Sequence, residues 1–509
     1  MLSALDSQPL SAYAGFLKIV EKRKMKELSI TDLAKILNAS HSHRASCIEH
    51  RATGVSTDSR SIKPGDCLFA IAGPNFDGHD FLADAFAKGA SCAVVSKDVP
   101  LDKFQDKIIL KVDDTVKALG DLAAWFRREC NFKVVAITGS VGKTTTRQIA
   151  HHVLSKRFKA FQSPKNFNNF IGLPLSILAA PPDSQILALE LATNHPGEIE
   201  YLSKIASPDI ALITNVHPAH LAGFGSVEKI AEEKLSIAKG LSPHGTLIIN
   251  ADCPPLLDAA RRANLSSRTF SLSAQADFNA KNISLGPAAG GFTIDDVTVE
   301  IPLPGRGNVE NALAAWTVCS TLGVSVDDFA NAVKSISPLS MRTELLQIGS
   351  LTVINDCYNA NPASMKNALD ILTNLASHNK RRSTCPGDLS GVAQVKSEAQ
   401  RRRVFVCGDM AELGDSEQAL HQKLGQQIAE AGVNTLITLG NLAALAADAA
   451  KRANPALQTH KFNAPADLCN NLHKLIQNSD IILVKGSRID KLEMVVENLK
   501  LGLRPSAHE

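Results

Sequence analysis

The chain has 509 residues, enough for about three domains at roughly 150 residues each. Its 54 Lys and Arg against 51 Asp and Glu leave a net charge of +3, too near neutral for nucleic acid or an anionic membrane to be the main partner. At 44% apolar and 21% charged residues the composition is globular and excludes disorder, while 5% aromatics argue against a base-stacking platform.

Residues 1–24 read as a leader of unknown role. The apolar stretch Leu10 to Leu17 is followed, not preceded, by Lys18, Lys22, Arg23 and Lys24, the wrong order for a signal peptide. Met25 is an alternative start, and Met25 to Leu28 opens a helix-like pattern. Residues 25–130 form a first domain, with strands predicted at Cys67 to Ala72 and Ala93 to Ser96 and helices at Phe81 to Lys88 and Val116 to Arg128.

A second domain, 131–338, opens on Lys133 to Thr138, an apolar, β-branched run expected as a buried parallel strand. A helix pattern then runs through about Arg157. Strands are predicted again at Ile186 to Leu191, Ile210 to Asn215 and Thr246 to Asn250, each followed by a helix, so the sheet should be parallel with right-handed crossovers. The third domain, 339–509, repeats the pattern with strands at Leu351 to Asn355, Val404 to Cys407, Thr435 to Leu439 and Ile481 to Val484, a doubly wound sheet. A polar insert at 378–403, with Arg381, Arg382 and the run Arg401 to Arg403, reads as a solvated loop. No internal repeat is evident.

Ten cysteines are scattered without a C-x-x-C pair, which excludes the usual zinc spacings. Such thiols read as small buried hydrophobes in a reducing compartment, the cytoplasm. No apolar run reaches the roughly 18–20 residues of a membrane span.

Between the strand Lys133 to Thr138 and the next helix lies Gly139-Ser-Val-Gly-Lys-Thr144. A glycine turn entering a helix gathers backbone N–H groups around an anion; Lys143 would neutralise terminal phosphates and Thr144 offer its hydroxyl to Mg²⁺. The generic motif wants a glycine where Ile137 stands, so the loop is a shortened form, and a strand-to-helix turn with a surface lysine is the other reading. Glu190, ending its strand on the same rim, is either a metal carboxylate or an ordinary strand-end acid.

Ser226 to Leu241 reads as one amphipathic helix, with Lys234 in the middle of its apolar stripe. Such a lysine snorkels, is paired, or is neutral, and a neutral amine can take up carbon dioxide to become an anionic carbamate. His220, in His217-Pro-Ala-His220, is either structural or a second-metal ligand. In the third domain Asp356, Asp409 and Lys485 to Arg488 end strands where open α/β sheets bind ligands, though each fits a turn equally well. Asn361-Pro362 has the form of an N-cap with proline in the first helical position.

From about Met25 onward these motifs resemble the Mur ligase family of ATP-dependent amide-bond-forming enzymes. Its short phosphate loop is similar to Thr138, Gly139, Ser140, Val141, Gly142, Lys143, Thr144 and Thr145. Asn168 to Leu175, Glu190 to Asn194, Asn355 to Pro362, Gly408 to Gly414 and Val484 to Arg488 look like the branch that adds D-alanyl-D-alanine; the D-N-P-R signature of the diaminopimelate-adding branch is absent. The resemblance implies an α/β chain of three domains: a small UDP-substrate domain, a central P-loop ATPase-like domain with a mostly parallel sheet, and a C-terminal Rossmann-like domain.

By the same resemblance Lys143, Lys234 and His220 carry the catalysis, and Thr144, Glu190, His220 and Lys234 hold Mg²⁺. ATP contacts extend to Asn308 and Asn311, with Gly307 where the family often has histidine, and to Arg342 and Asp356. Substrate contacts fall to Ser56, Thr57, Asp58, Ser59, Arg60, Phe76, Asp77, Gly78 and His79, and to Asn168, Asn169, Asn194, Asn359, Asn361 and Lys485. The implied reaction joins D-alanyl-D-alanine to UDP-N-acetylmuramoyl-tripeptide through an acyl phosphate in a cytoplasmic monomer, giving a peptidoglycan precursor. The domains should close on hinges near 130 and 338. A diamino-acid-adding or folylpolyglutamate-type ligase is the alternative, followed by a P-loop NTPase switch.

Overall fold

The computed structural model describes residues 27–42, 50–164, 166–378 and 401–502. The leader and most of the 378–403 insert fall outside them, as do Cys47 and Cys385. Three α/β sheets follow one another along the chain.

The first has five strands in the order Ser40–Ser42, Ile109–Lys111, Cys92–Val95, Asp66–Phe69 and Gly54–Ser56, parallel except for the first pair. Where a helix was expected from Met25, Leu28–Ser29 instead pairs with Arg51–Ala52, and the helix is Ile30–Leu37. Ser29 caps it by accepting from Asp32 N at 3.0 Å, a serine N-cap with acid in the first turn.

The central sheet has seven parallel strands, with Lys133–Thr138 between Ile186–Glu190 and Ile210–Ile213. These strands are buried along nearly their whole length because helices cover both faces. A three-stranded antiparallel sheet, Lys281–Leu285, Gly290–Ile294 and Val297–Ile301, is an addition that sequence reading missed. Its second hairpin turns at Asp295 and Asp296, both at positive φ, without the Asn-Gly pair that would have marked it. The C-terminal sheet is parallel except for its edge strand Glu344–Ile348.

The joint near 130 is a packed one. Helix Thr115–Glu129 of the first unit lies on Gly172–Leu178 and Glu198–Ala206 of the second, and one apolar core runs across the boundary. Arg127 bonds Ala206 O (3.2 Å), Ser207 O (2.7 Å) and Asp209 (3.0 Å). Opening a hinge here would expose that core, whereas the bonds that cross the connection near 338 include Gly307 N to Asn367 Oδ1 and Asn308 Nδ2 to Thr343 Oγ1, both at 3.0 Å.

The basic run Arg401 to Arg403 is not a free solvated loop. Arg402 pairs with buried Asp480 at 2.8 Å, Arg401 bonds Ser479 O at 2.6 Å, and Arg403 begins the strand Arg403–Cys407. Of the eight described cysteines six are buried.

Candidate active site

The strand Lys133–Thr138 delivers the phosphate loop into helix Lys143–Leu154. Both loop glycines are required: a Cβ on Gly139 would fall 1.9 Å from Thr214 Oγ1, and one on Gly142 2.0 Å from Asn311 Oδ1, with Gly142 at φ +85. The loop is tied to the next strand's exit: Val141 N donates to Asn215 Oδ1 (2.9 Å), Ser140 N to Asn215 O (3.0 Å) and Ser140 Oγ to His217 O (3.1 Å). Thr138 keeps a buried hydroxyl without a partner among the described residues. Lys143 Nζ lies back on its own loop, donating to Gly139 O at 2.9 Å.

Glu190 is 2% exposed and is the hub of the site. It accepts from Thr144 Oγ1 (2.8 Å), Asn168 Nδ2 (2.9 Å) and Arg147 Nη1 (3.3 Å). Burial pushes its carboxyl up, but Arg147, Lys143 and Arg342, with the Asn168 bond, outweigh it and hold the group below its ordinary value. Burial lowers Lys143 and Arg147 in turn, opposed by Glu190 and reinforced by Arg342. Sequence reading missed Arg147; its signal is a second basic residue one helical turn after Lys143.

Lys234 is 3% exposed on the helix Val227–Leu235, which ends there and tightens into a 3₁₀ turn at Ser236–Gly240 instead of running on to Leu241. The lysine does not snorkel, and its ammonium has no hydrogen bond or ion pair among the described residues. Burial lowers it to about 7, helped by Lys143 and opposed by Glu233. Glu233 itself accepts from Gly197 N (2.7 Å) and Ile199 N (2.8 Å), pinning the turn after Asn194.

Lys143, Arg147 and Arg342 thus surround one buried carboxylate, and Lys234 lies within electrostatic reach of Lys143, an excess of positive charge suited to a polyanion. Among the described residues no three His, Cys, Asp or Glu side chains gather into a metal site. The hydroxyl–carboxylate pair of Thr144 and Glu190 still fits Mg²⁺, which prefers hard oxygen donors and takes one or two from protein, the rest from water and phosphate. His220 is held elsewhere: its Nδ1 pairs with Glu412 of the third domain, and no bond joins it to Glu190 or Lys234 among the described residues.

The third domain reaches the same cleft. Arg342 stacks 4.0 Å from the Tyr358 ring centre and is flanked by Met341 and Thr343 at φ 61 and 48, strain of the kind that collects at functional sites. Asn308, 6% exposed, braces the joint by donating to Thr343 Oγ1 at 3.0 Å, while Asn311 accepts from Thr146 at 3.3 Å within the central domain. Asp356 binds Thr343 N (2.9 Å) and buried Lys485 (2.6 Å), which also donates to Asn359 O at 2.9 Å. Asn361 caps helix Pro362–His378 through Ser364 N at 2.9 Å, as its position before proline indicated. Asn169 caps Gly172–Leu178 (Gly172 N, 2.9 Å), while Asp409 holds Ala443 N at 2.6 Å, the turn reading for that residue.

In the first domain Ser56 ends the strand Gly54–Ser56 and Thr57, Asp58, Ser59 and Arg60 follow it, with Arg60 on Asp58 at 2.7 Å. The loop before Asp77 presents Phe76 at 62% exposure. Gly78 there is closed to any side chain, since a Cβ would meet Ile71 N at 2.7 Å. Ser96 N donates to His79 Nε2 at 3.0 Å, so Nδ1 carries the proton that faces Asp77. His79 and Lys97 hold Asp77 well below the usual carboxylate range against the opposing effect of burial.

Residues 137–319 match the Mur ligase middle domain, 389–488 the Mur ligase glutamate ligase domain, and 51–127 the Mur ligase family catalytic domain. A UDP-N-acetylmuramoyl-tripeptide--D-alanyl-D-alanine ligase of Bacillus subtilis is 34% identical over 449 residues, 88% of this chain and 93% of the relative. Among solved structures, MurF from Acinetobacter baumannii aligns with a TM-score of 0.81 at 30% identity, covering 94% of this chain and 99% of its own. MurF from Thermotoga maritima in complex with ADP aligns at 0.74 and 27% identity, covering 88% and 97%.

Proposed function

The chain belongs to the Mur ligase family, and we propose that within it this protein uses ATP to join D-alanyl-D-alanine to UDP-N-acetylmuramoyl-tripeptide. The reading rests on the match to ligases of that name over 88% of a chain whose Lys143, Arg147 and Arg342 converge on Glu190. It assigns the UDP end to residues 25–130, ATP to 131–338 and closure to 339–509. The enzyme would work as a cytoplasmic monomer; among the described residues no helix is long and apolar enough to cross a membrane.

Carboxylate and amine do not condense unaided in water. The tripeptide carboxylate attacks the γ-phosphorus, the bond to ADP breaks, and an acyl phosphate forms. The amine of D-alanyl-D-alanine adds to its carbonyl, loses a proton, and phosphate leaves the tetrahedral intermediate. Lys143 swings from Gly139 O to the terminal phosphates, Arg342 approaches with the third domain, and Arg147 keeps Glu190 ionised and oriented. Mg²⁺ at Thr144 and Glu190, and a second ion toward Lys234 and His220, would supply further charge neutralisation to the phosphates. For His220 to take part it must leave Glu412. The exposed Phe76 ring offers a face to the uracil, and closure would shield the acyl phosphate from water.

Omitting ATP, Mg²⁺, UDP-tripeptide or D-alanyl-D-alanine in turn, with product followed by mass, should abolish the pentapeptide each time. Phosphate release that ignores the amine would point to a switch, and a preference for a diamino acid or glutamate to another branch of the family.

Lys234, buried and near neutrality, is suited to carbamylation. In ¹³C-bicarbonate at pH 8 the protein should show a carbamate resonance that Lys234→Met removes. A spectrum identical in the two proteins rules the carbamate out.

A further inference from the structure

Glu310 stands between Asn308 and Asn311, yet its carboxyl serves a different network. Asn250 Nδ2 donates to Glu310 Oε1 and also to Thr214 O at 2.8 Å. The Asn215 side chain faces Glu310 as well, near enough to lower its carboxyl. Thr214 and Asn215 in turn hold both backbone groups of Val141, at the centre of the phosphate loop: Thr214 Oγ1 donates to Val141 O (2.6 Å) and Asn215 Oδ1 accepts from Val141 N (2.9 Å). A primary amide has one oxygen and one NH₂. With its oxygen on Val141, Asn215 must present NH₂ to Glu310, and an ionised carboxylate can accept from Asn215 and Asn250 together.

We propose that Glu310 is a positioning residue for the phosphate loop: its carboxylate locks the Asn215 amide and so the Val141 backbone, and its protonation releases them. Protonated, Glu310 loses its charge and one of its oxygens becomes a donor, so its hold on the NH₂ groups of Asn215 and Asn250 weakens; Asn215 could accept the new O–H only by turning its amide and setting NH₂ against the Val141 N–H. The groups facing Glu310 are Asp252 and Cys253, in the loop after strand Thr246–Asn250, and Arg306 one turn earlier on its own helix. Burial, with Asp252 acting in the same direction, pushes the carboxyl up to about 7 against Asn250, Arg306 and Asn215. Burial also pushes the Cys253 thiol up, which keeps it neutral. The locked form therefore prevails above about pH 7, and nucleotide affinity falls as pH drops through that value.

The inference rests on the reading that this loop grips the nucleotide, so the test carries an arm for each. With the full-length protein, ATP KM and kcat and calorimetric ADP affinity are measured from pH 6 to 9. Glu310→Gln, which loses the charge and sets NH₂ where one of the two acceptor oxygens stood, should raise the ATP KM at pH 8 about tenfold, the worth of one charge-assisted hydrogen bond. Its kcat should stay within about twofold, because no reacting atom is touched, and its affinity profile should lose the step near pH 7. Asn250→Ala, which removes one stabilising donor, should move the wild-type midpoint upward. A wild-type KM in Glu310→Gln, the same pH step as wild type, or an unmoved midpoint in Asn250→Ala overturns the proposal. If Lys143→Ala binds ADP and ATP normally, the loop reading falls and this inference with it; if only Lys143→Ala is impaired, this inference alone fails.

Discussion

Replacing Lys143 by alanine is expected to lower kcat on the order of 10²-fold or more, with the protein still folded. The effect should be large because charge gathers on the transferring phosphoryl group, and Lys143 is the loop's own cation in a cleft where burial strengthens every charge interaction. Stability should change little. The half-buried ammonium makes one hydrogen bond, to Gly139 O at 2.9 Å, so its loss is worth about 1 kcal/mol. Steady-state kinetics beside a thermal melt separate the two, and near-normal turnover in a folded Lys143→Ala protein would refute its role. Removing the ammonium also lifts a repulsion from Lys234, whose amine should then titrate higher.

Glu190→Ala should damage stability as well as catalysis. It would take the carboxylate from Arg147, whose side chain is 5% exposed, paired with Glu190 at 3.3 Å and bonded through Nε to Gln162 Oε1, and breaking a buried ion pair from one side costs about 3–5 kcal/mol. Thr144 and Asn168 would lose their acceptor too. Glu190→Gln, keeping shape but not charge, should melt higher than Glu190→Ala and still turn over poorly. The pH dependence follows from the sign of the shift. The folded carboxyl titrates below its ordinary value of 4.5, so its contribution to stability is complete above 4.5 and is lost as pH falls through the lower folded value. Denaturant melts at pH 7 and pH 4 give the comparison. A Glu190→Ala protein as stable as wild type at pH 7 would mean that Arg147 had found another partner.

Much of the site was legible because its parts are local in sequence. The strand Lys133–Thr138, its glycine turn and the helix from Lys143 are one continuous segment, and a carboxylate closing a neighbouring parallel strand must fall on the same rim. Lys234 was visible as a misfit on an apolar stripe for the same reason. The antiparallel sheet at 281–301 was not legible, since its turn lacks the residues that advertise hairpins. Nor was the fate of the strand-end polar groups. Asp409 and Asn361 are spent on caps and Lys485 on Asp356, choices that depend on which backbone N–H or carboxylate lies within reach.

Residue order along the chain was enough for the succession of α/β units, the phosphate loop and the family, because strand–helix periodicity and motif spacing are short-range properties. Partners brought from far along the chain were decided by packing alone. Arg147 on Glu190, Arg342 beside Tyr358, His220 on Glu412 and Glu310 between Asn215 and Asn250 are meetings that no spacing encodes. Charge and hydrogen-bond energies depend on distances across the fold, and those exist only once the sheets and their covering helices have closed on one another.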